Sequence, residues 1–202
     1  TPEIEIKPTR EIAINQSIDY QDMALPLEVL DHFIEKTNHR VIVEFCACRV
    51  SKRCDHFDHD IGCLMMGESA LQIPSSQSRE VGVEEAKAHA RKAIDAGLVP
   101  LVGKVRIDND FFMIPDKGKL LTVCFCCACC CVMRYSKHLT RESLDGAVIP
   151  VEGLAIEVTD DCTACGTCVD SCYTDALELG GDRVEIDDRC RSLDHFFFGP
   201  DQ

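Results

Sequence analysis

The sequence lacks the features of a membrane protein or of a nucleic-acid-binding protein. No apolar stretch reaches the roughly 18 residues that indicate a membrane span, and residues 196–198, three phenylalanines, are too short for one. Lysine and arginine total 21 against 35 aspartates and glutamates, which gives a formal net charge of −14. Because nucleic-acid binding requires basic side chains that replace phosphate counterions, this balance argues against a nucleic-acid partner.

The signatures of several enzyme classes are also missing. The chain has no glycine-rich nucleotide-binding fingerprint, no Ser/His/Asp spacing and no paired-carboxylate signature. Whether the protein is an enzyme therefore stays open, and a role in binding and transferring electrons is favoured over making or breaking bonds.

Cysteine, in contrast, is abundant, with fifteen among 202 residues, and it occurs in clusters. Adjacent cysteines such as those at 126–127 and 129–131 would form strained disulfides, whereas a reducing compartment keeps their thiols available for metal. No apolar leader precedes Thr1 in the sequence. We therefore expect a metal-binding protein of the cytoplasm, typical of an anaerobe.

The most specific motif is a C-x-x-C-x-x-C-x-x-x-C run near the C-terminus. Its cysteines are Cys162, Cys165, Cys168 and Cys172, and this spacing is typical of [4Fe–4S] ligands. Gly166 suits the tight bend between them, since glycine adopts a positive φ at little cost. A zinc knuckle is less consistent with the run, because zinc sites usually pair two C-x-x-C clips across a longer spacer.

This run resembles the bacterial-type ferredoxin family over residues 153–190. The resemblance implies half of the ferredoxin repeat, with a strand at 154–158, a helical turn at 168–172 and a hairpin at 176–186. Tyr173 departs from the family, which usually has proline after the last cysteine of the run.

The fourth ligand of this cluster is left open by the sequence. In two-cluster ferredoxins the last cysteine of each run ligates the other cluster, so Cys172 would point away from the first three cysteines. Cys190 stands where a second run would open, but no further cysteine follows it. Cys190, Cys172 and a cysteine from the middle of the chain are therefore the candidates.

A second group lies near the N-terminus and is sufficient for a complete metal site. It comprises Cys46, Cys48, Cys54 and Cys63, with His56 and His59 inside the last interval. Three interpretations compete: a second [4Fe–4S] cluster, a zinc site that includes the histidines, or reduced thiols beside exposed histidines. The aspartates nearby would hold an anionic cluster at low potential.

A third block places six cysteines within eight residues: Cys124, Cys126, Cys127, Cys129, Cys130 and Cys131. Because a strand would send its side chains to alternate faces, we predict a loop or a helix start if several thiols bind one centre. A further iron–sulfur centre is the favoured interpretation. A buried cysteine-rich core strand and a zinc- or copper-binding trap remain alternatives.

The pattern outside the cysteines predicts an α+β fold. Helices are expected from Pro26 to about His39 and from Val83 to Gly97, and strands at 41–45, 98–107, 111–114 and 120–123. Turns are expected at 108–110 and 115–118. Two helix-plus-strand units, with a polar break near 73–80, indicate a duplicated cysteine-rich domain at 1–150, followed by the half-ferredoxin module at 151–202.

These observations predict an iron–sulfur electron-transfer protein with two or three clusters. It would serve as a low-potential electron carrier or as an electron-delivery subunit of a larger complex, and its acidic surface would steer it to redox partners with basic docking surfaces. The N-terminal part loosely resembles poorly characterised multi-cluster ferredoxin-like proteins of anaerobes, which implies redox function.

Two alternatives remain. One is a redox enzyme subunit whose open site near residues 124–131 reduces a disulfide, a corrinoid or a small substrate, with Arg134, Tyr135, Lys137 and His138 as proton donors or anion binders. The other is a single [4Fe–4S] cluster beside a structural zinc site.

Overall fold

The computed structural model of the protein describes residues 24–115, 119–127, 129–132, 135, 138–149, 157–170, 172 and 175–187. Most of the predicted strand at 154–158, most of the predicted turn at 115–118 and Cys190 lie outside these residues.

A six-stranded antiparallel sheet forms the centre of the described fold. Its strands lie in the order β3-β1-β2-β5-β4-β6. Their bounds are β1 Arg40–Val43, β2 Leu64–Met66, β3 Ser78–Glu80, β4 Val99–Val105, β5 Leu121–Cys126 and β6 Val148–Ile149. The α+β class predicted from the sequence is confirmed.

Helices α1 (Ala24–Lys36) and α3 (Val83–Asp95) pack together against one face of this sheet. The shared core takes Leu30 and Ile34 from α1 and three small alanines from α3, which permit close approach. At its solvent edge Lys87 pairs with Glu35 at 2.6 Å, so charged groups cover the seam between the helices. Both helices were predicted from their apolar periodicity.

The shorter elements are α2 (Ala47–Lys52), a 3₁₀ helix at Glu68–Gln72, α4 (Arg106–Phe111) and α5 (Arg141–Ala147). The polar stretch predicted as an internal break connects the 3₁₀ helix to β3, and both contact β1. Strands before and after this stretch therefore share one sheet. The proposed duplication and the division at residue 150 stay predictions.

The turn predicted at 108–110 and the strand predicted at 111–114 are wrong, because α4 occupies most of this segment. Val105, Asn109 and Phe112 are buried, and their spacing of four and three residues is helical rather than alternating. Backbone N–H groups of Phe112 and Ile114 donate to the carbonyls of Asp108 and Asn109 and end the helix.

The loop predicted for residues 124–131 is also wrong in its first part. Strand β5 continues through Cys126, since Cys124 lies opposite Leu101 and Cys126 opposite Val99 in the ladder with β4. Pairing with the long neighbouring strand extends β5 by three residues beyond the predicted end at 123.

The C-terminal part contains α6 (Thr167–Asp170) and a hairpin of β7 (Leu177–Leu179) and β8 (Val184–Ile186). Leu177 pairs with Ile186 and Leu179 with Val184 across a glycine-containing turn, which confirms the predicted hairpin. None of the helices in the described residues combines the length and the apolar character that crossing a membrane requires.

Candidate metal centres

The alternation of β5 divides the dense cysteine block between two sides of the sheet. Val123, Phe125 and Cys127 join the core beneath α1 and α3, whereas Cys126 packs on the opposite side with Cys131 and, partly buried, Cys124. Further thiols on each side come from the segment between β1 and β2, which includes α2. The block therefore contributes to two separate groups of thiols.

The first group, here called the quartet, consists of Cys54, Cys127, Cys129 and Cys130. All four Sγ atoms lie within 4.8 Å of one another. Cys129 Sγ is 3.6 Å from Cys54 Sγ and 3.5 Å from Cys130 Sγ. Cys127 and Cys130 are buried in the main core, and Cys129 is exposed.

Local hydrogen bonds favour the thiolate form of Cys54. Burial raises the pKa of Cys54, but backbone N–H donors of His56 and Phe57, together with the thiols of Cys130 and Cys129, lower it to about 7 overall. The pKa of Cys130 is raised to about 11, first by burial and then by its hydrogen bond with Cys54. The quartet therefore contains one thiol, Cys54, that ionises readily beside Cys130, whose proton a bound cation would have to displace.

The second group, here called the hexad, is a row of thiols on the other side of the sheet. Hydrogen bonds join them in the order Cys46, Cys48, Cys131, Cys126, Cys124 and Cys63. Cys131 Sγ is 2.7 Å from Cys126 Sγ, and Cys63 Sγ is 3.8 Å from Cys124 Sγ. Among the described residues, no three thiols of the hexad lie within 4.8 Å of one another, so this row is more extended than the quartet.

Raised pKa values favour the protonated form of five hexad thiols: Cys46, Cys48, Cys63, Cys124 and Cys126. The hydrogen bond with Cys48, followed by burial, raises the pKa of Cys46, and the hydrogen bond with Cys124, followed by burial, raises that of Cys63. Asp108 adds negative charge beside Cys63 and Cys124. Burial also raises the pKa of Asp108 to about 6, although a hydrogen bond with Thr122 opposes this shift. A cation binding here would displace these protons.

Arg49 is a fully buried cation beside these thiols, with a relative exposure of 0%. Its guanidinium donates hydrogen bonds to the backbone carbonyls of Asp58, Ile61 and Phe125. Among the described residues, no carboxylate pairs with it. Its positive charge and its backbone N–H both lower the pKa of Cys46, so Arg49 favours thiolate in the hexad.

Gly62 allows the loop that leads to Cys63 to pack closely against the end of β1. A Cβ atom at this position would lie 1.9 Å from the carbonyl oxygen of Val43, which no side chain can tolerate. Arg49 and Gly62 were missed by the sequence analysis, because their partners are backbone atoms of distant segments and leave no pattern in the sequence.

The third group, here called the C-terminal run, comprises Cys162 and Cys165 in a tight loop before α6, Cys168 within α6 and Cys172 just after it. Ala164 and Gly166 have φ values of 54° and 83°, the left-handed conformation that turns the chain between the cysteines. Backbone N–H groups point at two of the thiols: Val184 N donates to Cys162 Sγ at 3.4 Å, and Ala176 N to Cys172 Sγ at 3.2 Å. No three thiols of this run lie within 4.8 Å of one another.

Comparison with family models identifies the segment that contains this loop. Residues 155–178 match the model of the 4Fe-4S binding domain. The ferredoxin-type assignment of this segment is confirmed. Comparisons of the chain with curated proteins and with solved structures found no match.

The residues of the 4Fe-4S binding segment fit a cluster. Its thiols are spread wider than a single ion requires, they receive backbone N–H donors, and they line a small apolar core. Cys172 is buried in that core with Ala176, Leu177 and Val184, and Cys162 and Cys168 pack against it. Cys172 therefore shares this core with Cys162 and Cys168.

Outside this segment the structure groups the predicted ligands differently from their order in the sequence. Cys54 lies in the quartet, whereas Cys46, Cys48 and Cys63 lie in the hexad. His59 uses its Nε2 to donate to the Cys54 carbonyl at 2.7 Å, and His56 is exposed beside Asp55. The histidines thus hold or flank the Cys54 loop. Of the proton-donor candidates, Tyr135 and His138 are exposed, and Arg134 and Lys137 lie outside the described residues.

Proposed function

We propose that this protein is an electron-transfer protein with two iron–sulfur centres, one on the C-terminal run and one on the hexad. The proposal rests on the separation of the thiols into distinct groups, one of which lies in the segment that matches the 4Fe-4S binding domain. A bound [4Fe–4S] cluster supplies reversible one-electron transfer.

Several features of the hexad support its part in this function. The donor set is entirely thiol, the softest ligand type in proteins, and it is more extended than a single ion needs. Cys126 and Cys131 are buried, so the surrounding strands exclude water from the centre. Arg49 offsets part of the negative charge that several thiolates bring into the interior.

The residues of the C-terminal run have complementary roles. Cys165 is exposed, and a hydrogen bond from the Thr167 hydroxyl lowers the pKa of its thiol. The N–H donors of Ala176 and Val184 stabilise negative charge on their sulfur partners and raise the affinity for an added electron. The exposed part of the C-terminal run, at Cys165, is the proposed point of electron exchange with a partner.

The net charge of −14 supports a partner with a basic docking surface. We expect the rate of electron exchange with such a partner to fall as ionic strength rises, because salt screens the attraction that brings the proteins together. Cytoplasmic location, anaerobic origin and membership of a larger complex are parts of the same proposal.

The experiment is a reductive titration of anaerobically purified protein, followed by EPR of the reduced sample. Two reduced-cluster signals are expected. Cys165→Ser should remove or alter the signal of the C-terminal run, and Cys126→Ser that of the hexad, each leaving the other signal in place. A single signal in the wild-type protein, removed by Cys165→Ser, would refute the hexad cluster.

A second candidate function rests on the contact of 2.7 Å between Cys126 Sγ and Cys131 Sγ. Six thiols exceed the four that a cubane needs. In this candidate Cys126 and Cys131 stay as a dithiol, the other four thiols bind the cluster, and Cys126→Ser leaves the hexad EPR signal in place. Loss of two electrons and two protons from this pair forms a disulfide, and the clusters would accept or return those electrons one at a time. Thiol counting in denaturant, after oxidation and after reduction, separates this candidate: it predicts two additional reactive thiols only after reduction.

A further inference from the structure

The quartet differs from the other thiol groups in compactness, and this difference indicates what it binds. Its Sγ atoms come within 3.5 and 3.6 Å of one another along two edges, and all lie within 4.8 Å. Thiolates on one tetrahedral ion with metal–sulfur bonds of about 2.3 Å are about 3.8 Å apart. The two shortest Sγ–Sγ distances in the quartet are therefore close to those of ligands on a single ion.

An iron–sulfur cube needs more room than this. Each thiolate of a cube binds a different iron, and inorganic sulfide lies between the irons, so the cysteine sulfurs are farther apart than on one ion. The C-terminal run, which matches the 4Fe-4S binding domain, has no three thiols within 4.8 Å. The Sγ atoms of the quartet are therefore closer together than those of the segment that matches a cluster-binding domain.

The position of the quartet is also that of a structural site. Cys54 belongs to the loop after α2, and Cys129 follows β5, 75 residues later in the chain. A metal that joins them fastens this loop to the central sheet and closes a long segment of chain. Cys127 and Cys130 belong to the main core, so the ion would extend that core rather than line a substrate cleft.

The backbone around Cys54 is already held for this purpose. Arg49 accepts a hydrogen bond at its carbonyl from Cys54 N at 2.9 Å, and His59 donates to the Cys54 carbonyl at 2.7 Å. Neither bond uses the sulfur atom. The ligand is thus oriented by its neighbours while its Sγ stays directed at the other three, as outer-shell partners do in zinc sites.

We propose that the quartet is a mononuclear tetrathiolate zinc site, separate from both iron–sulfur centres. Soft thiolate ligands in tetrahedral geometry select zinc or iron–sulfur clusters, and the compact spacing favours the single ion. On binding, each of the four thiols gives its proton to solvent and forms one bond to Zn²⁺. Zinc has no redox chemistry, so the site holds the fold and carries no electrons.

The test compares two exposed cysteines, Cys129 of the quartet and Cys165 of the C-terminal run. Wild-type protein, Cys129→Ser and Cys165→Ser are produced anaerobically with iron and zinc both supplied. Metals and acid-labile sulfide are then measured per chain. Cys129→Ser should lose zinc and keep iron and sulfide, whereas Cys165→Ser should lose iron and sulfide and keep zinc.

Zinc K-edge X-ray absorption of the wild-type protein gives a readout that does not depend on any variant folding. The proposal predicts about four sulfur neighbours at about 2.3 Å and no nitrogen neighbours. Absence of stoichiometric zinc, a shell that contains histidine nitrogen, or loss of iron with equal sulfide in Cys129→Ser would each overturn it. These outcomes leave the two-centre electron-transfer proposal to its own EPR test.

Discussion

The guanidinium of Arg49 donates a hydrogen bond to the carbonyl oxygen of Phe125 at 2.8 Å, joining α2 to β5 across 76 residues of sequence. Phe125 lies between Cys124 and Cys126, and Arg49 follows Cys48. The bond therefore connects two segments that contribute thiols to the hexad, and it places a buried positive charge beside thiols that would become anionic on binding a metal.

Replacing Arg49 should destabilise the fold strongly. Arg49→Met removes the donor of three backbone carbonyls, two of them in buried hydrogen bonds, so we expect the free energy of unfolding to fall by about 3 kcal/mol or more. Chemical denaturation monitored by circular dichroism measures the change. Arg53→Met, at an exposed position just after the same helix, is the matched control and should change little. Equal stability of both variants would mean that the buried guanidinium is not needed.

Gly62→Ala should also be strongly destabilising. The added methyl group would lie 1.9 Å from the Val43 carbonyl oxygen, so the loop that carries Cys63 must move away from β1. We expect a loss of about 3 kcal/mol in stability and a reduced iron content of the hexad. Gly146→Ala is the control, since its Cβ meets nothing within 4 Å, and a helical alanine should stabilise by up to about 1 kcal/mol.

Protonation of His89 should lower the free energy of unfolding in mild acid. Burial first, and the nearby charges of Lys92 and Arg79 next, lower its pKa below the ordinary 6.5, although its hydrogen bond to the Gly62 carbonyl opposes this. The unfolded chain therefore binds the proton more readily than the folded one. Stability contributed by neutral His89 is present above about pH 6.5 and is lost as the pH falls through the lowered folded-state value.

His89→Gln removes this titration and keeps a donor for Gly62. The difference in unfolding free energy between wild type and variant, measured at several pH values from neutral to about 5, isolates His89 from the acid sensitivity of the metal ligands. The wild type should lose stability relative to the variant as the pH falls. A difference that does not change with pH would contradict the assignment.

Cys172 should be the fourth ligand of the C-terminal cluster. It is buried in the apolar core that Cys162 and Cys168 contact, and Ala176 donates to its sulfur. Cys172→Ser is expected to lose the iron and sulfide of that cluster, whereas Cys190→Ser should retain them. Loss of the cluster in Cys190→Ser, with retention in Cys172→Ser, would assign the ligand to Cys190 instead.

The sequence predicted the C-terminal run because all its cysteines fall within eleven consecutive residues, so spacing alone brings them together. Helices α1 and α3 were predicted for a similar reason, since their apolar periodicity is local. Cys54 and Cys129 are different, because 75 residues separate them and only the pairing of β5 with β4 and β2 brings them into contact.

Strand parity explains why the third cysteine block was misjudged. A strand was considered unfavourable because it sends neighbouring thiols to opposite faces, which is a difficulty only if all of them bind one centre. Cys126 and Cys127 do lie on opposite sides, and each side has its own group of partners. Nothing in the sequence indicates that the loop after α2 supplies thiols to both sides.

We propose that the cysteines form separate centres, two of them iron–sulfur clusters and one a zinc site. Iron, acid-labile sulfide and zinc, measured per chain on one anaerobic sample, test it most directly. Two [4Fe–4S] clusters and one zinc site should give about eight iron atoms, about eight sulfides and about one zinc ion. About four iron atoms would contradict the hexad cluster, and about twelve iron atoms without zinc would contradict the zinc site.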